Sequence, residues 1–155
     1  METLDVLSKL GIFQGIPMDG LSQLADQGML RSFPAGMQLM SQGAMSESMH
    51  VILQGSVRVE RSHSDLSEPV ILADEMGPGE VIGEMGVLDD EPRSAAVIAV
   101  TNTETLELGA GLLATVLLQY PDVAIALLQL LSRRLRTTDE LLVQIERRSH
   151  REESR

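Results

Sequence analysis

The apolar residues of this 155-residue chain change their spacing twice, and that change restricts the fold more than any single motif. Leu4, Leu7 and Leu10 stand three apart and predict a short helix. Leu21, Leu24, Ala25 and Gly28 share one face of a second helix, expected from Asp19 to Met29. From about residue 31 the period falls to two. Val51–Leu53, Val57–Glu60, Val70–Ala73, Ala95–Val100 and Leu106–Leu108 read as strands, with Gln54-Gly55 and Gly77-Pro78-Gly79 as turns. Ser62 to Glu68 is polar and reads as a loop. Short strands punctuated by glycine predict a small antiparallel barrel or jelly roll.

After Gly111 the helical period returns. Tyr120-Pro121-Asp122 splits it into a short helix and a long one, with Asp122 as the expected N-cap. In the long helix Leu127, Leu131, Leu135, Thr138, Leu142 and Ile145 form a stripe roughly six turns long. Such a stripe needs a partner, either the strands or a second copy of itself. From Arg147 the tail is polar and is expected to fray. No internal repeat or low-complexity linker interrupts the chain, so one domain over 1–155 is expected.

Composition removes several functions. There is no cysteine, which excludes disulfides, thiolate metal sites and thiol catalysis. The only aromatic rings are Phe13, Phe33 and Tyr120, too few for a platform that stacks single-stranded bases. The net charge is −11 and is unevenly spread. Residues 133–155 hold seven Arg against five acids, so 1–132 carries −13 and repels phosphate backbones. No nucleic-acid partner is expected. The most apolar stretch, Leu112 to Leu131, is broken by Gln119, Pro121 and Asp122, and residues 1–15 have no long apolar run. A cytoplasmic protein without a membrane partner is the expectation. His50, His63 and His150 do not cluster at metal-binding spacing, so no metal and no cofactor are expected. Asp89-Asp90-Glu91 reads as a solvated loop, and no Ser/His/Asp elbow is present.

The informative stretch runs from Gly79 to Val97. Arg93 is the only basic residue between Arg61 and Arg133, and it leads into the apolar run Ala95-Ala96-Val97. A partly buried guanidinium needs an anionic partner. Gly83 to Leu88 can form one or two helical turns after a glycine, whose backbone lets an anion approach closely. One Arg and one helix start suit a ligand with a single negative charge. The alternative is a structural ion pair of Arg93 with Glu84 or Asp90.

This segment resembles the phosphate-binding cassette of the cyclic-nucleotide-binding domains: Gly83-Glu84, a short apolar helix, a variable loop, then Arg93-Ser94-Ala95-Ala96-Val97. Pro34-Ala35-Gly36, Gln42-Gly43, Val51 to Val57 and Gly77-Pro78-Gly79-Glu80 extend the likeness over roughly residues 5–145. Ile82 departs from the family, which usually has Phe there.

The resemblance implies an α+β fold: an eight-stranded antiparallel jelly-roll β-barrel with N-terminal helices and a long C-terminal helix. The barrel is expected over about 31–110, the C-terminal helices over 111–148 and the tail over 149–155. Arg93 is implied to pair with a cyclic phosphate and Glu84 to accept the ribose 2′-hydroxyl. Gly83 and Met85 are implied to contact the sugar, and Ser94 and Ala95 the phosphate. Val57, Leu72, Ile82 and Val97 are expected as pocket wall.

The long helix resembles that of catabolite-activator-type sensors. On that match Thr138 contacts the purine amino group, with Asp139 beside it; alternatively Thr138 fixes helix register in a dimer. Cyclic AMP is the first choice of ligand, and Ser94 leaves cyclic GMP open. The expected function is a non-catalytic sensor whose C-terminal helix moves as the output. A homodimer through that helix is anticipated, without a helix-turn-helix. The rivals are a regulatory fragment of a larger effector or transcription regulator, a degenerate member serving as a dimerisation module, and a cupin-like enzyme lacking its histidines.

Overall fold

The computed structural model describes residues 3–155. Two short helices, α1 (Thr3–Lys9) and α2 (Met18–Gln27), flank a single 3-10 turn at Gly11–Phe13. Eight strands follow. They are β1 (Met29–Phe33), β2 (Gln38–Met40), β3 (Ser48–Gln54), β4 (Val57–Arg61), β5 (Val70–Met76), β6 (Val81–Ile82), β7 (Ala96–Ala99) and β8 (Thr103–Gly109). A short helix, α3 (Glu84–Asp89), sits between β6 and β7. The chain continues through α4 (Ala110–Gln119) and α5 (Pro121–Glu153).

The strands divide into two four-stranded antiparallel sheets, ordered β1-β8-β3-β6 and β2-β7-β4-β5. Alternation within each strand decides what each face meets. On the first sheet Met49, Val51, Leu106 and Leu108 turn one way. They pack against Leu7, Phe13, Leu21 and Leu24 from the N-terminal helices, and Leu113 and Val123 from α4 and α5. The other face carries Ile52, which joins Ile82 and, from the second sheet, Met40, Val57 and Val97 in a core between the sheets. With so few rings, both cores are built almost wholly from aliphatic and Met side chains, which fill irregular space well.

The β3–β4 turn falls at Gly55, as the sequence predicts. Its φ is +88°, a conformation that glycine adopts without strain, and Asn102 and Thr103 leave no room for a Cβ.

Three sequence expectations are corrected. The second helix starts at Met18 and stops at Gln27, and Met29 opens β1. Asp122 does not cap α5. Tyr120 holds the N-cap position and Pro121 the first helical position, where its missing N–H costs nothing. Asp122 lies in the first turn, favourable to the helix dipole. The tail does not fray at Arg147, because α5 remains helical to Glu153 over 33 residues. His150 lies 3.3 Å from Glu146 one turn back, and the basic His150 and Arg151 sit in the last turn, both of which favour helix.

The apolar stripe of α5 finds a partner only in its first part. Val123 and Leu127 are buried, whereas Leu135, Leu142 and Ile145 are 64%, 60% and 62% exposed. Among the described residues no single helix is long and apolar enough to cross a membrane; α4 and α5 together reach that composition, but they are bent by 113°.

Candidate functional site

The site is built where β6 ends. Gly83 has φ +80°, and this left-handed residue swings the chain into α3. A Cβ at Gly83 would lie 2.5 Å from Arg93 Nη1 and 2.6 Å from Met40 Cε, so only glycine lets the guanidinium reach this close. After α3 the chain reverses through Asp90, also left-handed at φ +58°, and returns as Arg93 just ahead of β7.

Arg93 is held on all sides by backbone. Its Nη1 donates to Gly83 O at 2.9 Å and its Nη2 to Ser48 O at 2.6 Å. Its own N–H donates to Ala44 O at 2.8 Å, and its carbonyl accepts from Gly43 N at 2.8 Å. The Gln42-Gly43 turn thus clamps the Arg backbone while two carbonyls aim the side chain. Carbonyls fix direction without cancelling charge. Among the described residues no carboxylate lies within ion-pair distance of Arg93, so a structural pair with Glu84 or Asp90 is not what is found. Burial pushes the Arg93 guanidinium below its ordinary value, with Glu107 and then Glu84 pulling the other way.

Glu84 has a different partner. It is buried, and its Oε1 accepts from Arg134 Nη1 of α5. Arg134 Nη2 donates to Val81 O at 2.8 Å. One side chain thus ties the long helix to both β6 and the first residue of α3. The sequence reading missed Arg134. Its signal was present, because it stands one helical turn before Thr138 and shares that face.

The remaining candidates divide. Val57, Ile82 and Val97 are buried together in the core between the sheets. Leu72 is 52% exposed and does not line a closed wall. It lies on β5, the edge strand of its sheet, where the neighbouring Val70 and Ile71 are exposed as well. Met85 is 55% exposed, Ser94 is exposed and Ala95 is half-buried ahead of β7. Thr138 and Asp139 are exposed on α5, and Thr138 Oγ1 donates to Arg134 O at 3.0 Å.

The sequence reading also missed a polar group between the sheets. His50 is buried, its Nδ1 lies 2.8 Å from Thr105 Oγ1, and its ring meets Phe33 edge-on. Its Nε2 is 3.6 Å from Glu107 Oε2, which accepts from Arg31 Nε at 3.0 Å. Burial is the largest influence on His50 and drives its pKa down to about 4; Glu107 opposes this, and Arg93 and Arg31 reinforce it.

Residues 30–120 match the family model described as "Cyclic nucleotide-binding domain". The chain is 27% identical over 141 residues to a CRP-like cAMP-activated global transcriptional regulator of Mycobacterium tuberculosis, covering 91% of this chain and 62% of that one. It is 33% identical to a cyclic AMP receptor protein of Thermus thermophilus, covering 83% and 58%. It therefore spans about three-fifths of the length of these curated relatives. A solved cyclic nucleotide-binding domain from Methylobacillus flagellatus superposes with a TM-score of 0.77 at 28% identity, over 92% of this chain and 82% of that one. The match over residues 30–120 takes in both sheets, α3 and Arg93, and the chain belongs to the cyclic nucleotide-binding domain family.

Proposed function

We propose that the chain is a non-catalytic, cytoplasmic sensor, a single unit whose two sheets form a jelly-roll container for a cyclic mononucleotide, with cyclic AMP preferred over cyclic GMP. One observation carries this reading. Arg93 is aimed by two carbonyls and pinned by the Gly43–Ala44 turn, yet its charge meets no carboxylate at ion-pair distance among the described residues. A cyclic phosphate brings the single negative charge that such a guanidinium lacks. Gly83 and Met85 flank Glu84, Ser94 and Ala95 follow Arg93, and the four serve the sugar and phosphate through backbone groups and the Ser94 hydroxyl.

Glu84 is the acceptor for the ribose 2′-hydroxyl, and Arg134 is the residue through which α5 registers the ligand. A ribose hydroxyl at Glu84 re-sorts the bonds that Arg134 now makes there, and the position of α5 shifts with it. Thr138, one turn further on, meets the purine, with Asp139 beside it. The uncovered Leu135, Leu142 and Ile145 favour a second copy of the chain along α5.

A second reading has its own support. The two curated relatives named above are a transcriptional regulator and a receptor protein, and the chain spans 62% and 58% of their lengths. On that reading the same sensor is the regulatory part of a longer transcription regulator.

Titration calorimetry with cyclic AMP and cyclic GMP on the wild type and Arg93→Ala tests the proposal. The wild type is expected to bind cyclic AMP more tightly, and Arg93→Ala to lose roughly a hundredfold in affinity, about 2.7 kcal/mol. Arg93→Lys keeps the charge and loses the forked geometry, so it is expected to fall between them. Wild-type protein that binds neither nucleotide, or a folded Arg93→Ala with unchanged affinity, overturns the reading.

A further inference from the structure

Arg93 also faces a space that the cassette does not use. Arg31, His50 and Glu107 stand on β1, β3 and β8, whose alternation buries Val51 and Leu106 beneath the helices and turns these three toward the opposite sheet. Together with Arg93 they line a cavity of about 360 Å³, which also takes in Phe33 and Met45. Of the cassette residues, Arg93 alone lines it. That volume lies at the small end of the range for small-molecule sites, about 300–1,000 Å³.

The charges around the cavity do not cancel. Glu107 is paired with Arg31 at 3.0 Å. His50 is neutral near neutral pH, its pKa held at about 4 chiefly by burial. Arg93 is left as one uncompensated positive charge beside an aromatic ring and a thioether. The geometry points to a second ligand site here, for a small organic monoanion: a carboxylate carried on an apolar body. The cavity provides the two features that such a ligand needs, a partly buried cation and apolar wall.

Because one guanidinium faces both sites, each occupant removes charge that the other needs. The two ligands antagonise one another, and the factor is the same in both directions. This antagonism rests on the nucleotide reading; the cavity site does not.

The experiment is a benzoate titration of the full chain labelled with ¹⁵N, followed by amide shifts, with inorganic phosphate as the control anion. Benzoate is expected to shift Arg31, His50 and Ser41 to Met45 saturably, and phosphate, which has no apolar body, to bind at least about tenfold more weakly. Ala44 is exposed and lines the cavity, so Ala44→Trp fills it and is expected to abolish the shifts. Met45→Trp, on the same exposed loop, serves if Ala44→Trp disturbs the pairing with Arg93. Saturating benzoate is expected to weaken cyclic AMP several-fold, and saturating cyclic AMP to weaken benzoate by the same factor. The site is refuted by the absence of saturable shifts, by shifts that survive both Trp variants, or by shifts centred on Gly83 to Met85. Benzoate binding in a chain that binds no cyclic nucleotide sinks the nucleotide reading and leaves the cavity site standing.

Discussion

Arg134, in the middle of α5, donates to the buried carboxylate of Glu84, fifty residues earlier in the chain at the start of α3. The pair joins the cassette to the helix that follows it, and Arg134 also holds Val81 O of β6. Arg134→Ala leaves Glu84 buried without its cation. The expected loss is about 2 kcal/mol, below that of a fully buried pair because the Arg134 side chain is 34% exposed. Adding Glu84→Gln is expected to recover most of it, because an amide needs no counter-charge. Urea unfolding of the three proteins measures this, and equal stability of wild type and Arg134→Ala refutes it.

Thr138 shares the face of Arg134, and its hydroxyl is now satisfied by the Arg134 carbonyl. Should it meet the purine, Thr138→Ala is expected to change the ratio of cyclic AMP to cyclic GMP affinity by about fivefold, the equivalent of one ordinary hydrogen bond. Affinities that change together, at a constant ratio, remove Thr138 from the base contact and leave it a helix residue.

The exposed stripe on α5 predicts association. Wild-type protein is expected to sediment as a dimer at micromolar concentration, and Leu142→Asp as a monomer with an unchanged helical spectrum, since Leu142 is 60% exposed and supports no core. A wild type that stays monomeric throughout refutes the second-copy reading.

His50 predicts how stability depends on acid. In the unfolded chain its pKa is near 6.5, and in the fold it is about 4. Between these values the unfolded chain binds the extra proton, so stability rises with pH across that window and falls on acidification through it. The contribution is complete above the unfolded value and exhausted below about 4. Its size from pH 7 to pH 4.5 is on the order of 2 kcal/mol. His50→Gln is expected to flatten this part of the profile, leaving only the carboxylate titrations. Parallel profiles for the two proteins refute the assignment.

What could be read from the sequence was what local spacing encodes. The change of period at residue 31 and again after Gly111 marks where helices give way to strands and return, and the ladder follows it. The turn at Gly83 and the lone Arg at 93 read as one unit, and the fold brings Gly83 O to Arg93 Nη1. What escaped was set by partners distant in sequence. The helix face that Arg134 shares with Thr138 marks it as a site candidate, but only the fold names Glu84 as its partner. His50 read as an isolated histidine because Thr105 and Glu107 come from a strand more than fifty residues later. Leu72 has the composition of a wall residue, and only the sheet order, which puts β5 at an edge, shows that it is left uncovered. The helical tail escapes a reading of the sequence for another reason. A wholly polar stretch has no apolar period to read, yet the pairing of His150 with Glu146 and the basic last turn suit a helix.

Because α5 is one unbroken helix, the proposed output would use the contact at Arg134 as a fulcrum. From there to Glu153 the rod extends about 28 Å, so a tilt of about 10° carries its tip roughly 5 Å sideways. On the sensor reading proposed above, a rearrangement the size of a single hydrogen bond at Glu84 would be magnified into a displacement several times larger at the far end of the helix.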